Sequence, residues 1–203
     1  MQTIGEIDTT VFYAINHLPH GWFSDGFFGM LSGLGDSGFI WFVIGIWLIV
    51  REEKRDKRFF LPLGIAGVLS WFFSEVLFKS IVARIRPSNI LESVISVGFP
   101  NGYSFPSSHA TLAFAFAVVL TYKKPQFTKF FFSLAILIGF SRIYLGYHFP
   151  GDVLAGAALG LLIGFFTMAL YGQSMKKKHT VLKKRTTQKN IPRRPNKKHR
   201  HRR

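Results

Sequence analysis

Cysteine is absent from the 203 residues, which excludes disulfides, thiolate metal sites and a thiol nucleophile within this chain. Acidic residues are few, ten against 26 Lys and Arg, and neither Lys nor Arg occurs between Met1 and Val50. The sequence also lacks a basic start followed by a short apolar stretch and a small-residue cleavage site, so no removable leader is expected. Polar stretches are scarce before Lys176. With 48% apolar residues and 23 Phe, an ordinary soluble domain is hard to reconcile with the composition.

Five apolar runs fill most of the chain, at about Phe27–Val50, Phe59–Val82, Phe105–Tyr122, Phe130–Tyr147 and Pro150–Tyr171. Several approach the roughly 20 residues that a spanning helix needs. One such run could be a buried core helix, but five together predict an all-α, polytopic membrane bundle. The first run is interrupted by Gly33-Leu34-Gly35-Asp36-Ser37-Gly38, whose breakers and acid predict two short helices rather than one span. That reading gives about six membrane helices and a cytoplasmic N-terminus; one unbroken span would give five and an outer N-terminus. Residues 1–22 read as an interfacial segment, with Phe12, Tyr13 and Ile15 near Asp8 and His17. Residues 23–172 form the membrane domain and 173–203 a basic tail. In the last span Ala155, Gly156, Ala157, Ala158, Gly160 and Gly164 allow close helix approach, which predicts a central packing helix.

The placement of basic residues orients the bundle. Five lie in Arg51–Arg58, three in Lys123–Lys129 and fourteen in Lys176–Arg203, and juxtamembrane Lys and Arg mark the cytoplasmic side. The connector Arg84–Ser104 and the turn at His148 then face outward. The tail, broken by Pro192 and Pro195, is expected to be disordered in isolation. Anchoring the topology and attracting anionic lipid, at about 1 kcal/mol per basic residue near the surface, are its expected uses. Nucleic acid is a poor fit, because no aromatic residue interrupts the basic run to stack on bases.

Four basic residues remain, Lys79, Arg84, Arg86 and Arg142, all at outer ends of spans where the charge rule would not put them. An ionisable group at a helix centre costs roughly 2.5–3.5 kcal/mol on insertion scales, so such residues are usually paired or functional. An anion site explains them. Three clusters reach that level: Lys79 with Arg86 and Pro87; Pro106-Ser107-Ser108-His109; and Ser141-Arg142 with His148 and Asp152. Phosphate chemistry needs cations and N–H donors around the equatorial oxygens, a nucleophile in line, and a proton donor for the leaving oxygen. Pro106 suits the first turn of a helix, which would put Ser107, Ser108 and His109 around an anion-attracting N-terminus. Pro150 likewise marks a helix start, with His148 just before it and Asp152 in its first turn. One imidazole nitrogen can then bond the carboxylate while the other attacks. Arg84 is read as a snorkelling residue outside the immediate site. His109, His148 and Asp152 could be imagined as metal ligands, but cations crowded at the same place favour an anion, so no metal and no other cofactor is expected.

Lys79-x6-Arg86-Pro87, Pro106-Ser107-Ser108-His109 and Ser141-Arg142-x5-His148-x3-Asp152 resemble, in order and spacing, the three signature motifs of the type 2 phosphatidic acid phosphatase family. The resemblance runs from about Lys79 to Asp152. It implies His148 as nucleophile, Asp152 as its support and His109 as the acid that protonates the leaving lipid alkoxide and later activates water. It also implies Lys79, Arg86, Ser107 and Arg142, with the backbone N–H of Ser108, as phosphate holders. One departure is Ser108, where the family usually has Gly. Independently, Glu75 lies four residues before Lys79 on one helical face and is expected to hold the lysine in place.

The implied activity is a metal-free lipid phosphatase of the cell membrane, working on its outer face through a phosphohistidine. Bacterial members of this size suggest phosphatidylglycerophosphate as substrate, with undecaprenyl diphosphate and phosphatidic acid as competitors. Two other readings are weaker: a vanadate-dependent halide oxidase, whose relatives are soluble, and a non-enzymatic membrane scaffold recruiting polyanions through its tail.

Overall fold

The computed structural model describes residues 3–35, 39–50, 60–98 and 100–189. Among them every regular element is helical. Helix α1 (Ile4–Asn16) begins with a capping box, in which the Thr3 hydroxyl accepts from the Glu6 N–H and the Glu6 carboxylate from the Thr3 N–H. Helices α2 (Trp22–Gly35) and α3 (Phe39–Val50) occupy the stretch that the Gly-rich interruption divides; the interruption's end, 36–38, lies outside the described residues. Helix α4 (Phe60–Trp71) passes into a π-helical segment, Phe72–Phe78, and then α5 (Lys79–Val82). A one-turn helix α6 (Pro87–Ile90) precedes the long connector to α7 (Ser108–Lys123). Helices α8 (Thr128–Tyr144) and α9 (Pro150–Lys189) complete the order.

Among the described residues three stretches are long and apolar enough to cross a membrane: Phe60–Ile90, Pro125–Tyr144 and Pro150–Gln173. The expected count of about six is not reached among the described residues, because α2, α3 and α7 have 14, 12 and 16 residues. Large apolar side chains nevertheless point outward along the long helices, with Val68 65%, Ile136 58% and Leu162 68% exposed. Such outward faces suit lipid rather than water.

Among the described residues α7 is the most buried helix, and the close approach that the small residues of α9 predict is made to it. Nine of its 16 residues are buried, and its apolar positions run all round the helix. Helix α9 packs against it through glycines four residues apart. A Cβ at Gly156, Gly160 or Gly164 would lie 2.5 Å from the Ser107 carbonyl, 2.2 Å from the Thr111 carbonyl or 2.7 Å from Val118 Cβ. The small residues thus serve contact with α7 and bring the start of α9 beside the start of α7. Phe12 of α1 is fully buried with Ala110, Ile143, Phe149 and Val153, so α1 packs into the same end.

The chain divides into two compact units, Met1–Met168, which contains all the candidate site residues, and Ala169–Arg203. In the second, α9 stays helical as far as Lys189; Pro192 and Pro195 lie outside the described residues.

Candidate active site

His148 sits on a turn made by the end of α8. Gly146 takes a left-handed conformation (φ +78°), where a Cβ would meet the Ile95 carbonyl at 2.8 Å, and the N–H groups of Tyr147 and His148 both donate to the Arg142 carbonyl. Pro150 then opens α9, as its fixed φ and missing N–H favour. The imidazole is only 2% exposed.

The ring's partners fix its tautomer. Arg86 Nη1 lies 3.2 Å from His148 Nε2, and a guanidinium can only donate, so Nε2 is the acceptor and Nδ1 carries the proton. On the Nδ1 side, Ser104 Oγ is 3.4 Å away and Asp152 Oδ2 is 3.7 Å away. The direct imidazole–carboxylate hydrogen bond expected from the sequence is therefore replaced by a relay, since 3.7 Å is too long for one. The Ser104 hydroxyl donates to Asp152 Oδ2 and presents its lone pair to Nδ1–H. Burial pushes the His148 pKa down to about 3; neighbouring Arg142 and Arg86 act in the same direction, and Asp152 opposes them. The ring is consequently neutral, with its Nε2 lone pair directed at a cation-lined position.

Asp152 is fully buried in the first turn of α9. Besides Ser104, its Oδ2 accepts the Phe149 N–H at 2.9 Å, capping the helix, and its Oδ1 accepts Arg84 Nη1 at 2.7 Å. Its backbone carbonyl accepts the Ser107 N–H at 3.0 Å, joining the second and third motifs.

Arg86 is held before any ligand arrives. Its Nε, Nη1 and Nη2 donate to the carbonyls of Gly102, Tyr147 and Asn101 at 3.0, 3.0 and 2.9 Å. Arg142 stands over the Tyr147 ring at 4.5 Å and donates to the Ser32 hydroxyl. Ser107 is the N-cap of α7, its hydroxyl accepting the Ala110 N–H. Pro106, expected in the first helical turn, instead precedes this cap through a cis Phe105–Pro106 bond, so Ser108, His109 and Ala110 form the first turn.

A second group lies alongside. Glu75 Oε1 accepts Lys79 Nζ at 2.6 Å, as the four-residue spacing predicts, and also the hydroxyl of Ser108. Glu75, Ser108, His109 and Ser74 form the polar end of a cavity of about 630 Å³, whose other walls include Leu63, Val68, Trp71, Leu112 and Phe116. His148 is not among its lining residues. The cavity therefore flanks the imidazole cluster on the side of Ser108 and His109.

All eight site residues expected from the sequence thus fall into two adjoining groups, linked by the consecutive Ser107 and Ser108. Three participants escape sequence reasoning. Ser104 carries no distinguishing spacing, Arg84 looks like a snorkelling residue, and Asp8 is 144 positions before the carboxylate whose partner it shares.

The PAP2 superfamily model matches residues 59–176, more than half of the chain. The chain belongs to the PAP2 superfamily. It is 29% identical to the lipid A 4′-phosphatase of Porphyromonas gingivalis, over 84% of this chain and 75% of that protein. With the undecaprenyl-diphosphatase of Sulfolobus acidocaldarius it shares 31% identity, over 65% of this chain and 64% of that protein. Among solved structures it resembles Aquifex aeolicus LpxE, with a TM-score of 0.66 and 32% identity, covering 80% of this chain and 95% of that one. The resemblance read from the three motifs therefore holds, and the protein is a membrane phosphatase of the PAP2 superfamily, a hydrolase of phosphate esters.

Proposed function

We propose that this PAP2 protein hydrolyses a membrane lipid phosphate on the outer face of the cell membrane by way of a phosphohistidine on His148 Nε2. The observation that carries this reading is the contact of Nε2 with Arg86 Nη1 at 3.2 Å, with the Ser104–Asp152 relay behind Nδ1. A phosphate oxygen taking the Arg86 N–H would put phosphorus in front of a neutral nitrogen lone pair.

In the first step the N–P bond forms as the P–O bond to the lipid breaks, and His109 gives a proton to the leaving oxygen. The developing charge on His148 is balanced through Ser104 by Asp152, while Lys79, Arg86, Arg142 and the N–H groups at the start of α7 take the equatorial oxygens. In the second step His109 removes a proton from water, which attacks phosphorus, and the P–N bond breaks to release phosphate. The apolar cavity beside His109 suits the leaving lipid chain. The clustering of basic residues in Arg51–Arg58, Lys123–Lys129 and the tail supports an outward site and a cytoplasmic tail available to anionic lipid.

Phosphatidylglycerophosphate, undecaprenyl diphosphate, phosphatidic acid and a phosphorylated lipid A all present a phosphate on an apolar body, as this arrangement requires. The test is phosphate release in EDTA from each of the four by detergent-purified wild type and His148→Ala. Activity lost in the variant supports the histidine mechanism, and the ranking of kcat/KM selects the substrate. A folded His148→Ala protein with wild-type turnover would overturn it.

A further inference from the structure

We propose that Asp8 and Arg84 are positioning residues for the phosphatase reaction, and that helix α1 is through them part of the catalytic apparatus. This rests on the reading of His148 as nucleophile and Asp152 as its support. Arg84 bridges two carboxylates with one guanidinium: Nη1 to Asp152 Oδ1 at 2.7 Å and Nη2 to Asp8 Oδ2 at 2.6 Å. Its planar face lies 4.0 Å from the centre of the Phe149 ring, which fixes the third direction. The other Asp8 oxygen, Oδ1, accepts the Gly151 N–H at 2.7 Å. Asp8 therefore grips both the arginine and the turn of α9 that carries Asp152.

The consequence for His148 follows from lone-pair directions. Asp152 has Oδ1 taken by Arg84, leaving Oδ2 for Ser104, the Phe149 N–H and the field at Nδ1. If Arg84 were lost, the fully buried carboxylate would be free to rotate toward other donors, and the Ser104 relay that keeps the proton on Nδ1 would lose its fixed acceptor. Groups behind a catalytic residue commonly matter at the level of about 10–100-fold when removed, as outer partners of metal ligands do. A snorkelling arginine would show none of this, because its head group would lie in water. Here the Arg84 side chain is 29% exposed and the Asp8 side chain 11%.

The experiment measures kcat, KM and Tm for wild type, His148→Ala, Arg84→Gln, Arg84→Lys and Asp8→Asn with one lipid phosphate substrate. Positioning predicts kcat lowered by roughly 30-fold or more in Arg84→Gln and by about tenfold in Asp8→Asn, with KM changed less than about threefold. Arg84→Lys, which keeps the charge but loses the fork, should recover part of the loss. The double variant Asp8→Asn/Arg84→Gln should be no slower than Arg84→Gln, since the two act as one unit. Arg84→Ala offers a further readout. Arg84 lines a cavity of about 660 Å³ with Thr3, Glu6 and Thr10, so added guanidinium in the millimolar range should restore part of kcat.

Lowered Tm with wild-type kcat in Asp8→Asn and Arg84→Lys, while His148→Ala is inactive, would overturn the positioning role and leave the nucleophile reading intact. A fully active His148→Ala would instead remove the reading on which the proposal stands. If Arg84→Gln fails to fold, Asp8→Asn and Arg84→Lys decide between the two.

Discussion

Lowering the pH should destabilise this protein through His148, by an amount that its burial sets. The folded-state pKa of about 3 lies below the ordinary value of 6.5, so the unfolded chain binds the extra proton between those limits. Stability from this residue is complete above about pH 6.5 and is lost as pH falls toward 3. Between pH 7 and pH 4 the two pKa values correspond to about 3 kcal/mol. For a chain of this size that is a Tm shift of roughly 6–12 °C. Other groups titrate in the same interval, so the comparison is between wild type and His148→Gln, each followed by tryptophan fluorescence in detergent from pH 4 to pH 8. Only wild type should carry the His148 contribution, and the difference between the two Tm curves should change by that amount. The same value means that His148, the proposed nucleophile, is already neutral at pH 5 in the free enzyme. An acid limb of kcat/KM is therefore expected from other groups, such as the substrate phosphate. Two Tm curves that run parallel from pH 4 to pH 7 would refute the reasoning.

Gly160→Ala should lower Tm although alanine is the better helix former. The new methyl would lie 2.2 Å from the Thr111 carbonyl, and overpacking of this kind costs about 1–3 kcal/mol against a propensity gain of about 1. Gly64→Ala, with nothing within 4 Å of the added carbon, should be neutral or stabilising, and thermal scans of the two variants side by side check the contrast. Glu75→Gln should leave Lys79 without its counter-charge. Because the Glu75 side chain is 38% exposed, the effect is discounted to about 1 kcal/mol, a fall of about fivefold in kcat/KM; unchanged turnover and Tm would show that the pair serves neither binding nor folding.

The parts of the site that could be read from the sequence are those whose geometry is local. The four-residue step from Glu75 to Lys79, the proline that opens α9 and the step from His148 to Asp152 each carry their spacing with them. Cations at the ends of apolar runs away from the basic connectors led to the expectation of an anion site, because membrane burial makes such placements costly. What escaped detection is long-range: the Arg84–Asp8 pair is 76 residues apart and the Arg142–Ser32 contact 110, and no periodicity links them. The Gly-rich interruption made the two short helices α2 and α3 legible, but their apolar stretches fall below the length at which composition alone identifies a span. Small residues in α9 signal close approach, but they do not say that the alanine-rich α7 is what they approach.

Two of the cations proposed to hold the phosphate, Arg86 and Lys79, are themselves held in different ways, and this bears on how an ion site is maintained near membrane depth. Arg86 is bound by three neutral carbonyls, which orient the guanidinium without cancelling its charge. Lys79 is bound by a carboxylate, so the lysine and Glu75 together carry no net charge. In the proposed mechanism a phosphate would then meet Arg86 preset by carbonyls and Lys79 held in place by Glu75, with its remaining N–H groups free to turn to the ligand. Such an arrangement limits the uncompensated positive charge of the site while leaving Arg86 directed at the position where phosphorus would meet His148 Nε2. Ser108 joins this hold, since its hydroxyl also bonds Glu75. A glycine there would lack this tie, and the serine gives the start of α7 a direct hold on the carboxylate that positions Lys79.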